Sequence, residues 1–274
     1  MTPEVGGVTR WTAPAKLTVT LAVTGVREDG YHLLESEMVT LDLADTVEID
    51  DPVDDGATSL EVATAWPAAS VVRDPEALGP VTDNLVVRAL ATVGRAARVR
   101  LVKRVPPGAG LGGGSADAAA VLRWAGCTDP ALAVTLGADV PFCLAGGRAI
   151  VTGVGEELAP LPFEERTFVL VLPPFGVDTA TVYRAYDRLG SEAARAGSTG
   201  NDLEAAALEV EPRLAGWRHA LEQATGRPAR LAGSGSTWFV EGEVDGVDPG
   251  AEVWLEREGE LAPLVVARTV PGPT

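Results

Sequence analysis

The sequence predicts an α+β fold in two parts. Three observations carry that expectation. Alternation of apolar and small polar residues dominates the first third of the chain. A strand then runs straight into Pro106-Pro-Gly-Ala-Gly-Leu-Gly-Gly-Gly-Ser-Ala-Asp-Ala-Ala-Ala, where glycines give way to alanines. Beyond Pro162 a second series of strands and helices begins.

Taken in order, Lys16 to Val23 alternates as a half-buried strand does. Gly25 to Gly30 reads as a polar turn, and Met38 to Leu43, Thr46 to Asp50 and Ser59 to Thr64 alternate again. Asp83 is expected to cap a helix that opens at Asn84 and ends near Gly94. Arg98 to Val105 is a strand, Ser115 a good N-cap, and Ala116 to Trp124 the helix that follows. Gly146-Gly147 punctuates the chain before a strand at Arg148 to Thr152. Leu158 to Pro162 reads as a linker, which sets the expected domains at 1–160 and 161–274. The second part reads as a strand (Phe168 to Leu172), helices (Thr179 to Leu189, Glu211 to Thr225) and strands near Ala229 to Ala232, Thr237 to Glu241 and Leu264 to Ala267.

With 274 residues, 46% of them hydrophobic, the chain can bury a sizeable core. It carries 22 Lys+Arg against 39 Asp+Glu, a formal net charge of -17. No basic face is visible, so no nucleic-acid partner is expected. An anionic ligand must be held by local donors against the global field. The N-terminus lacks a basic stretch followed by an apolar run, and no apolar run reaches the roughly 18 residues of a membrane span, so a cytoplasmic protein is expected. Cys127 and Cys143 fit no metal-ligand spacing; two buried thiols are expected, with a disulfide left open. No metal ligand is assigned.

Only two basic residues are lysines, Lys16 and Lys103. The chain meets ordinary needs for positive charge with arginine, a planar fork, where lysine gives a compact point charge. One lysine sits on the first strand and the other just before the glycine loop, which points to function.

That loop is the strongest signal. Glycine tolerates φ > 0 and lets backbone N–H groups approach a ligand. A helix N-terminus adds unpaired N–H groups and a partial positive charge, which suits phosphate. The loop lacks the Gly-Lys-Ser/Thr of a Walker A motif. Gly108-x-Gly110-x-x-Gly113 matches a dinucleotide fingerprint, but that fingerprint belongs in an early βαβ unit. Three further clusters are weak singly: Asp29-Gly-Tyr31-His32, Gly137-Ala-Asp139-Val-Pro-Phe142 and Gly233-Ser-Gly-Ser236. Each also reads as a turn or hairpin. His219 lies on a helix face with no such context.

In this order the clusters resemble the GHMP kinase superfamily. The glycine loop resembles its phosphate-binding motif, and Gly233-Ser-Gly-Ser its C-terminal glycine motif. Ala13-Pro-Ala-Lys16-Leu, Arg27-Glu-Asp-Gly-Tyr31-His32-Leu-Leu-Glu-Ser, Gly137-Ala-Asp-Val-Pro-Phe142 and Asn201-Asp-Leu-Glu204 are most similar to its 4-diphosphocytidyl-2-C-methyl-D-erythritol kinase family. The resemblance implies a ribosomal protein S5 domain 2-like N-terminal domain and a ferredoxin-like C-terminal domain with a cleft between them. It implies ATP and Mg²⁺, a small-molecule cytidine diphosphate substrate phosphorylated on its 2-hydroxyl in the non-mevalonate isoprenoid pathway, and a monomer or homodimer.

Lys16 and Asp139 match the family's catalytic pair. Pro106, Gly108, Ala109, Gly110, Leu111, Gly112, Gly113, Gly114, Ser115 and Ala116 are expected at ATP, with Asn84 and, from its place before the loop, Lys103. Tyr31, His32, Thr18, Thr179, Tyr183, Gly233, Ser234 and Gly235 are expected at the substrate, with cytosine stacked between Tyr31 and Tyr183. The sequence departs from the family pattern at Thr18, usually Asn, at Ala116, usually Ser, and in a short segment before Asp139. The alternatives are another alcohol kinase of the superfamily, a nucleotide-binding homologue with altered catalysis, or a dinucleotide oxidoreductase.

Overall fold

Two strands of unusual length organise the first half of the computed structural model, which describes residues 7–50, 57–65, 81–195, 199–247 and 253–272. Residues 1–6, on which the absence of a leader partly rested, lie outside the described residues. Strand β1 (Val8–Val26) and strand β2 (His32–Asp50) form an antiparallel hairpin. The sequence showed them as fragments because the register shifts at Pro14/Lys16, Thr18/Thr20 and Val23/Gly25 break the alternation. Such bulges bend a strand and re-aim its side chains.

The other edge of β2 carries two neighbours. Its C-terminal end pairs with β4 (Arg98–Lys103), which runs parallel to β3 (Ser59–Thr64). Its N-terminal end pairs with β5 (Arg148–Gly153), which pairs with β6 (Glu157–Pro160). The expected linker at Leu158 to Pro162 is therefore partly an edge strand.

Helix α1 (Leu85–Thr92) packs on α2 (Gly113–Trp124). The cap of α1 is Asn84, whose Oδ1 accepts from Val86 N–H at 2.9 Å, and not Asp83. Helix α2 opens three residues earlier than expected: its N-cap is Gly112 at φ 65°, and Ser115 lies inside the first turn. A left-handed N-cap leads the chain into the helix without a capping side chain, which a rule seeking Ser or Asp misses. Ala116, Ala118, Ala119 and Ala120 are fully buried, so the alanines let α2 approach β1 and its neighbouring helices closely. Two short helices, α3 (Pro130–Ala133) and α4 (Val140–Ala145), complete this half.

A second antiparallel sheet follows, with β10 (Val253–Arg257), β11 (Glu260–Arg268), β7 (Thr167–Val171), β9 (Trp238–Glu241) and β8 (Arg230–Leu231) side by side. Helices α5 (Thr179–Leu189), α6 (Ser191–Arg195), α7 (Glu204–Val210) and α8 (Leu214–Thr225) accompany it. An apolar layer joins the two sheets: Leu17 and Leu41 of the first pack in one cluster with Phe168, Phe239 and Ala267 of the second. Leu21 and Val23 reach into the core of the second half, where Leu21 bridges to Asn201. The space between sheets is thus closed by apolar burial at one end and left open at the other.

Candidate active site

The open end is a cleft of about 900 Å³. The glycine loop forms one wall. Three of its carbonyls are occupied: Gly108 O accepts from Val177 N–H and Ser236 N–H, Ala109 O from Thr237 N–H, and Leu111 O from Lys16 N–H. The loop is thereby tied to β1 and to both second-half loops. The amides of Gly113, Gly114 and Ser115, in the first turn of α2, have no intrahelical acceptor. The same residues line the cleft.

Glycine is required here for close approach. A Cβ on Gly110 would lie 2.2 Å from Ala232 O, and one on Gly112 would lie 2.8 Å from Lys16 Cγ. The same closeness places Lys16 against the loop. Its Nζ donates to Thr18 Oγ1 at 3.0 Å and lies 3.2 Å from Asp139 Oδ2. The Lys16 side chain is 6% exposed and that of Asp139 31%, so the carboxylate opens to the cleft over a buried cation. Asp139 occupies the N-cap position of α4 yet makes no capping hydrogen bond. Pro141 in the first turn has no N–H for it to cap, and the carboxylate pairs with Lys16 instead.

From α5, Tyr183 also lines the cleft. The ring of His32 stacks on it with centroids 4.8 Å apart and an interplanar angle of 27°. His32 Nε2 lies 2.7 Å from Asp187 Oδ1. Burial pushes the Tyr183 phenol up, with the Asp139 charge adding to it. Asp178 caps α5 through Thr181 N–H, and hydrogen bonds from Thr181 hold its carboxyl below the usual range. Thr179 Oγ1 and Ser234 Oγ are 2.8 Å apart, joining α5 to the second glycine turn. Asn201 fixes that turn from behind: its Nδ2 donates to Leu231 O at 2.9 Å and Gly233 O at 2.7 Å.

The cleft therefore gathers Lys16, Thr18, Tyr31, His32, Asp139, Thr179, Tyr183, Gly233 and Ser234 with most of the loop. Five expected residues do not line it. Leu111 and Ala116 are buried beneath the loop, Gly235 lies behind the second turn, and Asn84 caps α1. Lys103, expected beside the triphosphate, is instead buried between Asp45 and Asp117, because two carboxylates compensate its charge there. Tyr31 and Tyr183, expected to flank the cytosine, both line the cleft. His32 covers Tyr183, while Tyr31 is 62% exposed with the Arg27 guanidinium 5.5 Å from its ring centre. Sequence reading missed Asp187, although its i+4 spacing from Tyr183 puts both on one helix face. The free cysteines fit their expectation in part: Cys143 is buried and Cys127 half-buried.

A glycine loop on a helix start, with a Lys–Asp pair seated against it in one cleft, defines a GHMP kinase, an ATP-dependent phosphotransferase. Residues 84–147 match the family of GHMP kinases N terminal domains. A curated 4-diphosphocytidyl-2-C-methyl-D-erythritol kinase from Paracoccus denitrificans (strain Pd 1222) is 40% identical over 281 residues, covering 93% of this chain and 97% of the relative. One from Pelotomaculum thermopropionicum (strain DSM 13744 / JCM 10971 / SI) is 39% identical over 260 residues, 83% and 86% of the two chains. The chain belongs to the 4-diphosphocytidyl-2-C-methyl-D-erythritol kinase family. A crystal structure of 4-(cytidine 5'-diphospho)-2C-methyl-D-erythritol kinase superposes with a TM-score of 0.61 at 34% identity, covering 84% of this chain and 89% of that one. A mevalonate kinase at 12% identity and TM-score 0.54 shares the fold, over 85% of this chain and 91% of that one.

Proposed function

We propose that the chain transfers the γ-phosphoryl group of ATP to the 2-hydroxyl of 4-diphosphocytidyl-2-C-methyl-D-erythritol, with residues 1–160 and 161–274 as the two halves that enclose the reactants. The observation that carries this reading is the Lys16–Asp139 pair at 3.2 Å, seated against the glycine loop. The curated relatives bear the same substrate in their names.

Phosphoryl transfer passes through a loose transition state, so the protein supplies position and charge. The first-turn amides of α2 and its dipole hold the terminal phosphates. Asp139 accepts the hydroxyl proton; because that proton leaves late, orientation matters more than basicity. Lys16 orients the Asp139 carboxylate through their ion pair and meets charge on the moving phosphoryl. The cytosine base lies at the aromatic corner of Tyr31, His32 and Tyr183. Donation from His32 Nε2 to Asp187 leaves Nδ1 as an acceptor suited to an exocyclic amine.

Among the described residues no group of three or more His, Cys, Asp or Glu forms a metal cage. A carboxylate open to the cleft, that of Asp139, fits Mg²⁺, which keeps its waters and rides on substrate phosphates with one or two protein carboxylates. Asp139 is the carboxylate beside Lys16 that would meet it; the ion would neutralise phosphate charge. Among the described residues no helix is long and apolar enough to cross a membrane. A cytoplasmic monomer or homodimer completes the reading.

The test is ADP release by the purified chain with ATP, Mg²⁺ and a panel of alcohols. Turnover should depend on the cytidyl alcohol. Faster turnover on homoserine or mevalonate would overturn the assignment, and ATP binding without turnover on any alcohol would leave only a nucleotide-binding role.

A further inference from the structure

Lys103, Asp45 and Asp117 form a buried ionic cluster that the phosphotransfer steps above do not use. Asp45 stands on β2, Lys103 ends β4, and Asp117 lies in the second turn of α2. Their side chains are 0%, 4% and 3% exposed, in that order. Lys103 Nζ donates to Asp117 Oδ2 at 2.7 Å and also to Asp45 Oδ2. Asp45 Oδ1 accepts from Val105 N–H at 2.8 Å and from Arg104 N–H.

The cluster thus grips both ends of the glycine loop. Asp45 holds the backbone where the loop begins, and Lys103 holds α2 where it ends. A Cβ on Gly113 would lie 3.2 Å from Lys103 Nζ and 2.9 Å from Val105 Cγ1. The ammonium therefore sits directly beneath the first residue of the phosphate-facing turn.

One ammonium and two carboxylates sum to a charge of minus one, buried under a seat for phosphates. Both oxygens of Asp45 accept hydrogen bonds, but Asp117 Oδ1 is buried with no hydrogen-bond partner among the described residues. Two buried carboxylates on one ammonium favour protonation of one of them, and Asp117 lacks the backbone amides that donate to Asp45. We propose that this cluster is the positioning element of the glycine loop and that Asp117 takes up a proton, leaving the cluster electrically neutral while nucleotide phosphates are bound above it. The proposal rests on the kinase reading of the cleft.

The electrostatics agree with the geometry. Burial pushes the Asp117 carboxyl up to about 7; Lys103 opposes that shift and Asp45 adds to it. Burial alone would lower the Lys103 ammonium, but Asp117 and Asp45 raise it above the ordinary lysine value, so the cation stays charged. From α4 the facing titratable group is the Cys143 thiol, which burial keeps protonated. From α1, Arg88 turns away to Thr135 O at 3.4 Å, and from β1 Lys16 is engaged by Thr18 and Asp139.

The test compares ATP dissociation constants of the wild type with those of Asp117→Asn, measured without the alcohol between about pH 6 and about pH 8.5. The second ionisation of the ATP terminal phosphate affects both proteins alike and cancels in the ratio. The ratio of wild-type to variant Kd should be near one at the acid end and rise about three- to tenfold at the alkaline end, as the wild-type cluster gains its negative charge. Asp45→Asn, which keeps an oxygen for the loop amides, should give an equally pH-dependent ratio. A ratio independent of pH, including uniform weakening by Asp117→Asn, would overturn the proposal while leaving the kinase reading intact. Absence of ATP binding by the wild type at every pH would overturn both.

Discussion

Replacing Gly110 by alanine tests whether the loop must sit this close to the second glycine turn. The new Cβ would lie 2.2 Å from Ala232 O and 2.8 Å from Gly235 O, against an ordinary contact distance of at least 3.4 Å. Both obstacles are backbone, so no rotamer change relieves the overlap, and the loop must recede by about an ångström. Gly110 also has φ +76°, a left-handed conformation that costs an L side chain roughly 1–2 kcal/mol. Overpacking adds about 1–3 kcal/mol. A shift of that size in a phosphate-positioning loop should lower kcat about a hundredfold. Gly94→Ala is the matched control: its φ is +66°, and nothing lies within 4 Å of the added Cβ. It should show the conformational destabilisation alone, with kcat unchanged. Coupled ADP-release kinetics and thermal unfolding on both variants make the comparison. A Gly110→Ala enzyme with kcat within threefold of the wild type would refute the argument that the loop's position is set by contact with Ala232 and Gly235.

Three further outcomes follow from the same geometry. Asp139→Ala should lose at least about a hundredfold in kcat with its thermal unfolding midpoint preserved, because the carboxylate caps nothing; a kcat near wild type would remove it from the chemistry. Asp187→Ala should raise KM for the cytidyl alcohol about five- to tenfold and leave KM for ATP unchanged, since the His32 hydrogen bond lies at the aromatic end; equal effects on both would contradict that division. Folding stability should fall as pH rises between about 4 and about 7, because the folded chain retains a proton on Asp117 that the unfolded chain releases near the ordinary aspartate value. The Asp117 contribution is about 1.4 kcal/mol per pH unit, and Asp117→Asn should flatten the denaturant-unfolding slope by that order. Carboxylates held low by partners, such as Glu48 beside Arg10 and Arg100, act with the opposite sign below this window.

Local chemistry made much of this legible. The loop glycines, the Lys16 strand and the α2 alanines announce their roles through residue type and order. Element limits were harder to read where geometry overrides pattern. β1 and β2 appeared as fragments because bulges interrupt their alternation, and β10 at Val253–Arg257 escaped because Glu256 and Arg257 dilute its apolar signal. The Gly112 cap escaped because its device is a backbone conformation rather than a side chain. The surroundings of Lys103 were not legible for a related reason. Asp45 and Asp117, which take its charge, lie 58 and 14 residues away, and only the fold brings them together. The aromatic corner shows the same limit. Tyr31, His32 and Tyr183 were readable singly, but which ring covers which depends on how the β1–β2 turn meets α5.

Phosphorus NMR of a reaction containing the chain, ATP, Mg²⁺ and 4-diphosphocytidyl-2-C-methyl-D-erythritol examines the central claim most directly. One new phosphomonoester signal on the alcohol should grow in step with ADP, and Asp139→Asn should suppress both. Phosphate released to water with no ester formed, or an ester formed equally well by Asp139→Asn, would contradict a transfer directed by the Lys16–Asp139 pair.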